Sequence, residues 1–191
     1  MAARPGLAWI IAEWRRLVSD PGTAVWTDDE AQALLERHQE VHVHTPLIPM
    51  PQPEGGSTVW KVYVLPGPYW EEPTSGTQWF RITDANGSVI PSSAYTLDAR
   101  EGVVTFNQDQ QGKDLYVTGR RYDFFSAAGD AWLEAAATKA DLYDFKADGG
   151  TFSRSQWFKH CQSMAEWCYR QAPPKLARVM RADVWDDGVD L

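Results

Sequence analysis

The sequence predicts an α+β fold: a four-helix bundle carrying an inserted small antiparallel β subdomain and followed by an extended C-terminal tail. Three observations predict it. Apolar residues recur at three- and four-residue steps toward both ends of the chain, five short β-patterned stretches lie between them, and a Pro- and Gly-rich segment separates the two regimes. The expected organisation is a helical pair over residues 1–40, the β subdomain over 41–122, a helical hairpin completing the bundle over 123–172, and the tail over 173–191.

The first helix is read from Leu7, Ile10, Ile11, Trp14, Leu17 and Val18, with Arg15 and Arg16 on the other face and Asp20-Pro21-Gly22 as its stop. The second starts at Thr27-Asp28-Asp29-Glu30. There the Thr hydroxyl can accept from a free backbone N–H, Glu30 can reciprocate, and the acids suit the positive end of the helix. From Thr45 to Ser57 the chain carries Pro46, Pro49, Pro51, Pro53, Gly55 and Gly56, so it is expected to travel as an irregular or extended loop. Strands are expected at Val59 to Leu65, Gln78 to Thr83, Tyr95 to Leu97, Val103 to Phe106 and Leu115 to Thr118. Turns fall at Asp84-Ala85-Asn86-Gly87 and Gln110-Gln111-Gly112-Lys113.

In the closing hairpin, Phe125, Ala128, Trp132, Ala136 and Tyr143 form one apolar stripe and Trp157, Cys161, Met164 and Cys168 another, so the two are expected to face each other, Trp132 against Trp157. Ser153 or Thr151 caps the last helix and Pro173-Pro174 ends it. The tail beyond shows no sustained helical or strand period. Its apolar set, Leu176, Val179, Met180, Val184 and Trp185, is too large for an idle terminus and is expected to order against a partner or an adjacent subunit, with Trp185 as the buried anchor.

Composition narrows the function classes. A hydrophobic share of 43% with ten tryptophans excludes a wholly disordered chain and implies large surfaces to bury, within the subunit or against partners. A net charge of -8 argues against a protein that coats nucleic acid, since phosphate binding needs clustered Lys and Arg; an acidic wall instead lets DNA pass without sticking. No apolar run approaches the roughly 20 residues that span a bilayer, and the Leu7 to Val18 segment is interrupted by charge. Cys161 and Cys168 lie about 10 Å apart along one helix, too far for a disulfide within it, which points to a reducing compartment.

Each candidate site has a plainer reading. His42 and His44 alternate as a metal pair on a strand would, but only His38 is near as a third ligand, and a solvated or packed pair is favoured. Glu71 and Glu72, beside Tyr69 and Trp70, suggest sugar chemistry; adjacent side chains on extended backbone point to opposite sides, so the two acids cannot flank one bond. A sugar-binding loop built on Tyr69, Trp70 and Trp79 stays as an alternative. Cys161 and His160 diverge by about 100° on a helix, which makes Cys161 a core thiol rather than a nucleophile. Arg120-Arg121 reads as surface charge or a subunit contact. No catalytic, cofactor-binding or metal-binding set is expected.

A resemblance adds to this reading. Val25-Trp26-Thr27-Asp28-Asp29-Glu30-Ala31 with Leu34-Leu35-Glu36-Arg37-His38, Tyr95-Thr96-Leu97-Asp98 with Gly102-Val103-Val104-Thr105-Phe106, Val117-Thr118-Gly119 with Tyr122-Asp123, and the run Asp144 to Gln156 resemble small phage and prophage proteins, and the helical arrangement is similar to the head–tail connector, or adaptor, family. The likeness covers most of residues 25 to 172, with a β insert larger than that of minimal helical adaptors. It implies a structural virion protein at the capsid–tail junction, assembled in the host cytoplasm, with no enzymatic activity and no cofactor. Its copies would form a ring, commonly of twelve, below the portal protein, meet a stopper or tail protein on the other side, and extend a channel through which DNA passes. Alternatives are another phage head or tail completion protein, or a carbohydrate-binding module using the β insert.

Overall fold

The computed structural model describes residues 3–20, 22–74, 79–138, 145–147, 150–152 and 154–173; of residues 145–147, 150–152, 154 and 155 it describes the backbone only. Among the described residues, four helices and two four-stranded antiparallel sheets make a mixed α+β architecture with substantial sheet. This corrects the expected four-helix bundle with a small β insert. The helices are α1 (Ala8–Leu17), α2 (Asp28–Arg37), α3 (Phe124–Ala137) and α4 (Arg154–Gln171), with a short 3-10 turn, Pro5–Leu7, leading into α1.

The source of the extra sheet is the Pro-rich segment. Instead of an irregular loop it supplies the end of β1 (Gln39–Pro46), all of β2 (Ile48–Glu54) and the start of β3 (Ser57–Val64). Proline cannot donate to a ladder, so a strand that carries it must lie on an edge or sit at a bulge. β2 satisfies both conditions: it is the edge of its sheet, Pro49 and Pro53 stand opposite Tyr63 and Thr58, and Pro51 falls where the register slips between Met50 and Gln52.

The remaining strands are β4 (Arg81–Asp84), β5 (Val89–Ile90), β6 (Tyr95–Asp98), β7 (Val103–Phe106) and β8 (Leu115–Tyr122). One sheet runs β1-β8-β4-β5 and the other β2-β3-β7-β6. Between α3 and α4 a two-stranded ribbon, β9 (Phe145–Ala147) with β10 (Gly150–Phe152), occupies the expected connector. Tyr143, the proposed caps Ser153 and Thr151, and the whole tail set Leu176, Val179, Met180, Val184 and Trp185 lie outside the described residues or their described side chains.

Two cores follow from this layout. Leu7, Ile10, Trp14, Leu34, Leu35, Ala128 and Trp132 belong to a helical core that also takes in Cys161 and Cys168. Tyr63, Leu65, Trp70, Ile82, Val104, Phe106 and Val117 fill the space between the sheets. Trp9 packs against both. Tyr69 seals the joint, its ring stacked on Phe124 at 4.4 Å and on Trp9 at 6.2 Å. β8 connects the two regions covalently: its last residue, Tyr122, is buried in the helical core, and Asp123 caps α3 by accepting from the Ser126 N–H at 3.0 Å.

Local signals set the helix ends. The Thr27–Glu30 capping box is present in both directions. Arg15, expected on the outer face with Arg16, is instead 6% exposed. Its guanidinium reaches Asp20 at 3.0 Å and Asp28 at 2.7 Å, and donates to the Trp26 carbonyl at 2.8 Å. Asp20 in turn accepts from the backbone of Ala24 and Trp26. The turn between α1 and α2 leaves polar backbone groups that must be satisfied when buried, and this ion cluster satisfies them. α3 and α4 approach at Gly129, where an added Cβ would sit 2.6 Å from the Tyr169 ring.

Candidate functional site

The two histidines on β1 do not form a pair. The ladder between β1 and β8 slips between His42 and Thr45, and His44 takes a left-handed backbone with φ 49°, so the simple alternation that would put both imidazoles together is broken. His42 lies against Trp70 at 5.0 Å and 3.7 Å from the Glu40 carboxylate; His44 stacks on Tyr116 at 4.0 Å. Burial, reinforced by the nearby Arg121, lowers the His42 pKa below the ordinary imidazole value. His38 is engaged elsewhere, 2.8 Å from Asp130. Among the described residues no group of three or more His, Cys, Asp or Glu is placed to hold a metal.

Glu71 is the centre of a buried charge network. It is 7% exposed, it accepts from the Tyr122 hydroxyl at 2.8 Å, and it lies 3.2 Å from Arg4 and 3.8 Å from Arg120. Arg4 extends the network by donating to the Tyr122 hydroxyl at 2.7 Å and pairing with Glu36 at 2.6 Å. Burial and the bond to Glu71 push the Tyr122 phenol far above its usual range. A carboxylate so fully engaged ties the N-terminal segment, the 65–72 loop and β8 together. It has no free face for acid–base work. Glu72 is exposed on the other side.

The aromatic residues proposed for a sugar platform are likewise consumed. Trp70 is fully buried and donates its indole N–H to the Gly67 carbonyl at 2.7 Å, and Tyr69 is stacked inside the joint between the cores. Only Trp79 of the three is exposed, with the Arg120 guanidinium 3.7 Å above its ring. Arg120 and Arg121 are not a surface spot: their side chains are 13% and 12% exposed. Arg121 donates to Glu40 at 2.7 Å and fills the space that a side chain at Gly67 would need, the backbone there running at φ 89°.

In the helical hairpin Cys161 and Cys168 are buried free thiols. Burial pushes the Cys168 thiol up to about 11, the reverse of an activated nucleophile. Trp132 is buried, Trp157 is 40% exposed, and each meets the His160 ring, at 5.7 Å and 5.9 Å. Both line a pocket of about 130 Å³ whose walls also include Val18, Val25, Trp26 and Ala135.

A second polar cluster, for which the sequence carries no local signal, joins α2, α3 and α4. Asp130 accepts from the Tyr169 hydroxyl at 2.6 Å and pairs with His38 at 2.8 Å. Desolvation works against its charge, but these bonds outweigh it and hold the Asp130 carboxyl below the ordinary range. Arg37 meets Glu134 beside it at 2.6 Å.

What the described surface offers is apolar contact area. Val41, Val43, Ile48 and Met50 on β1 and β2 are between 47% and 70% exposed, and Leu133, Trp157, Trp167 and Tyr169 on α3 and α4 between 37% and 45%. No helix among the described residues is long and apolar enough to cross a membrane. No protein-family model matches the chain, and no curated protein matches its sequence.

Proposed function

We propose that the chain is a structural virion protein, a head–tail connector whose copies form a ring below the portal and extend the DNA channel toward the tail. The reading rests on the likeness of residues 25 to 172 to that family. The observation offered in its support is that large apolar side chains stand exposed on β1, on β2 of the other sheet, and on α3 and α4. A closed ring of identical subunits joins each copy to the next through two different patches, for which these side chains are the candidates. The net charge of -8 suits a channel that lets phosphate pass. The residues that invited chemistry, Glu71 and the two cysteines, are absorbed in packing and ion pairs.

The test is electron microscopy of the purified protein mixed with portal-bearing capsids. A ring, twelve-fold in the simplest case, is expected beneath the portal. Capsids that stay bare at that vertex under saturating protein would sink the reading. Val43→Asp, at a position 70% exposed, is expected to leave subunit stability within about 0.5 kcal/mol while abolishing ring formation.

A further inference from the structure

The two faces of the β1-β8-β4-β5 sheet meet different surroundings. Side chains alternate along a strand, and residues paired across two strands share a face. Leu115 and Val117 on β8 and Ile82 on β4 point into the core between the sheets. Tyr116, Thr118 and Arg120 therefore point to the other face, with Thr83 and Arg81 opposite the first two. The Arg120 guanidinium lies 3.7 Å over the Trp79 ring, which places Trp79 on the same face. Past Arg120 the strand ends at Tyr122 in the helical core, so the open part of the face runs from Arg120 to Tyr116. Trp79 is 52% exposed, Arg81 is exposed, and His44 stacks on the half-buried Tyr116 at 4.0 Å. Glu71 compensates Arg120 from 3.8 Å, whereas Arg81 pairs with no carboxylate among the described residues.

We propose that this face binds a nucleotide, its base stacked on Trp79 and its phosphate held by Arg81. A ring at this exposure, with a guanidinium over one side, keeps area for a planar guest. Arg81 supplies the uncompensated cation that a phosphate needs. A neutral sugar would use the ring and leave Arg81 idle; a bare anion would use Arg81 and leave the ring. Their neighbours on β8, Arg120 and Thr118, stand two residues apart, about 7 Å at the strand rise, so ring and cation are separated by a step that one nucleotide covers from base to phosphate. Tyr116 is a second ring, about 14 Å along β8 from Arg120 and too far for the same base. A free mononucleotide would therefore use Trp79 and Arg81 alone, and a single strand would reach Tyr116 as well. The net charge of -8 opposes a polyanion elsewhere on the subunit, so binding is confined to this face and weakens as salt rises. The site asks nothing of the connector assembly.

Titration of the full chain, labelled with 5-fluorotryptophan, with AMP at low salt tests this. AMP is expected to shift the Trp79 fluorine resonance, which is identified by its loss in Trp79→Tyr. Trp79→Ala should weaken AMP binding about tenfold, while Trp79→Tyr, which keeps a ring, should retain most of it. Arg81→Gln should erase the preference for AMP over adenosine. Both side chains are exposed, so the circular dichroism melts of these variants should match that of the unaltered chain. Tyr116→Ala separates the two sources: loss of fluorescein-labelled oligo(dT) binding with AMP binding intact assigns the site to a single strand, and no effect on either assigns it to the free nucleotide. An unmoved Trp79 resonance at millimolar AMP, binding that survives Trp79→Ala, or ribose 5-phosphate binding as well as AMP would overturn the proposal. Maltose moving the Trp79 resonance as far as AMP would also overturn it, in favour of a glycan.

Discussion

Replacing Gly129 with alanine should destabilise the protein even though alanine is the better helix former. In an exposed helix interior the exchange is worth about 1 kcal/mol in favour of alanine. Here the new Cβ would lie 2.6 Å, 2.8 Å and 3.0 Å from three atoms of the Tyr169 ring, the first two closer than real Cβ contacts come. The ring cannot simply swing away, because its hydroxyl is held 2.6 Å from Asp130. Moving it breaks a hydrogen bond to a charged acceptor, a loss of about 1.5–3 kcal/mol, so the expected balance is a net destabilisation on the order of 1 kcal/mol. Urea unfolding of the full chain measures this. The same change made in a Tyr169→Ala background should have the opposite sign, stabilising by up to about 1 kcal/mol, because nothing then opposes the propensity gain. If Gly129→Ala stabilised the unaltered protein by that amount, the close approach of α3 and α4 through Tyr169 would be refuted.

Three further outcomes follow from the geometry. Trp132→Ala, at a position 4% exposed, is expected to cost about 3–5 kcal/mol in the same unfolding experiment; an unchanged melting temperature would deny it a core role. Thr27→Ala removes a capping box present in both directions and should cost about 1 kcal/mol, and if restoring Ser at that position fails to recover most of it, the cap is not the cause. Because burial raises the Cys168 thiol from 9.0 to about 11, its contribution to stability is fully present below pH 9 and is lost as the pH rises toward 11. Iodoacetamide at pH 8 should accordingly label Cys168 only in urea, and labelling under native conditions would contradict its burial.

How far the fold could be read beforehand depended on whether the deciding signal was local. The capping box at Thr27 and Glu30, the strand at Val103 to Phe106 and the buried stripe Ala128, Trp132, Ala136 each follow from residues within a few positions of one another, and each is where the pattern placed it. The sequence reads β2 as loop because proline weighs against strand wherever the neighbours are unknown. Only the pairing of β2 with β3 on one side and nothing on the other makes Pro49, Pro51 and Pro53 acceptable. Arg15 was placed on the wrong face for a similar reason: periodicity says which side of a helix is charged, and cannot say that Asp20 and Asp28 will fold over that side.

The candidate sites divide in the same way. Alternation alone decided that Glu71 and Glu72 diverge, and the structure separates them into a buried and an exposed acid. The partners of Glu71, by contrast, come from residues 4, 120 and 122, and those of Asp130 from residues 38 and 169, distances in sequence over which no short pattern operates. The register slip that parts His42 from His44 is likewise a property of the β1 and β8 ladder.

The arrangement of the strand edges bears on how the chain behaves at high concentration. An open strand edge is a template on which further chains can add without limit. Each edge of the two four-stranded sheets is blunted in its own way: β2 by its prolines, β1 by the slip at His42 to Thr45, β5 by a length of two residues and β6 by one of four. On the proposed connector reading, copies brought together by exposed residues such as Val43, Met50 or Trp167 would meet side chain to side chain. Contacts of that kind can be tried, released and re-formed until the geometry closes, whereas backbone ladders that start in the wrong place lead toward fibres.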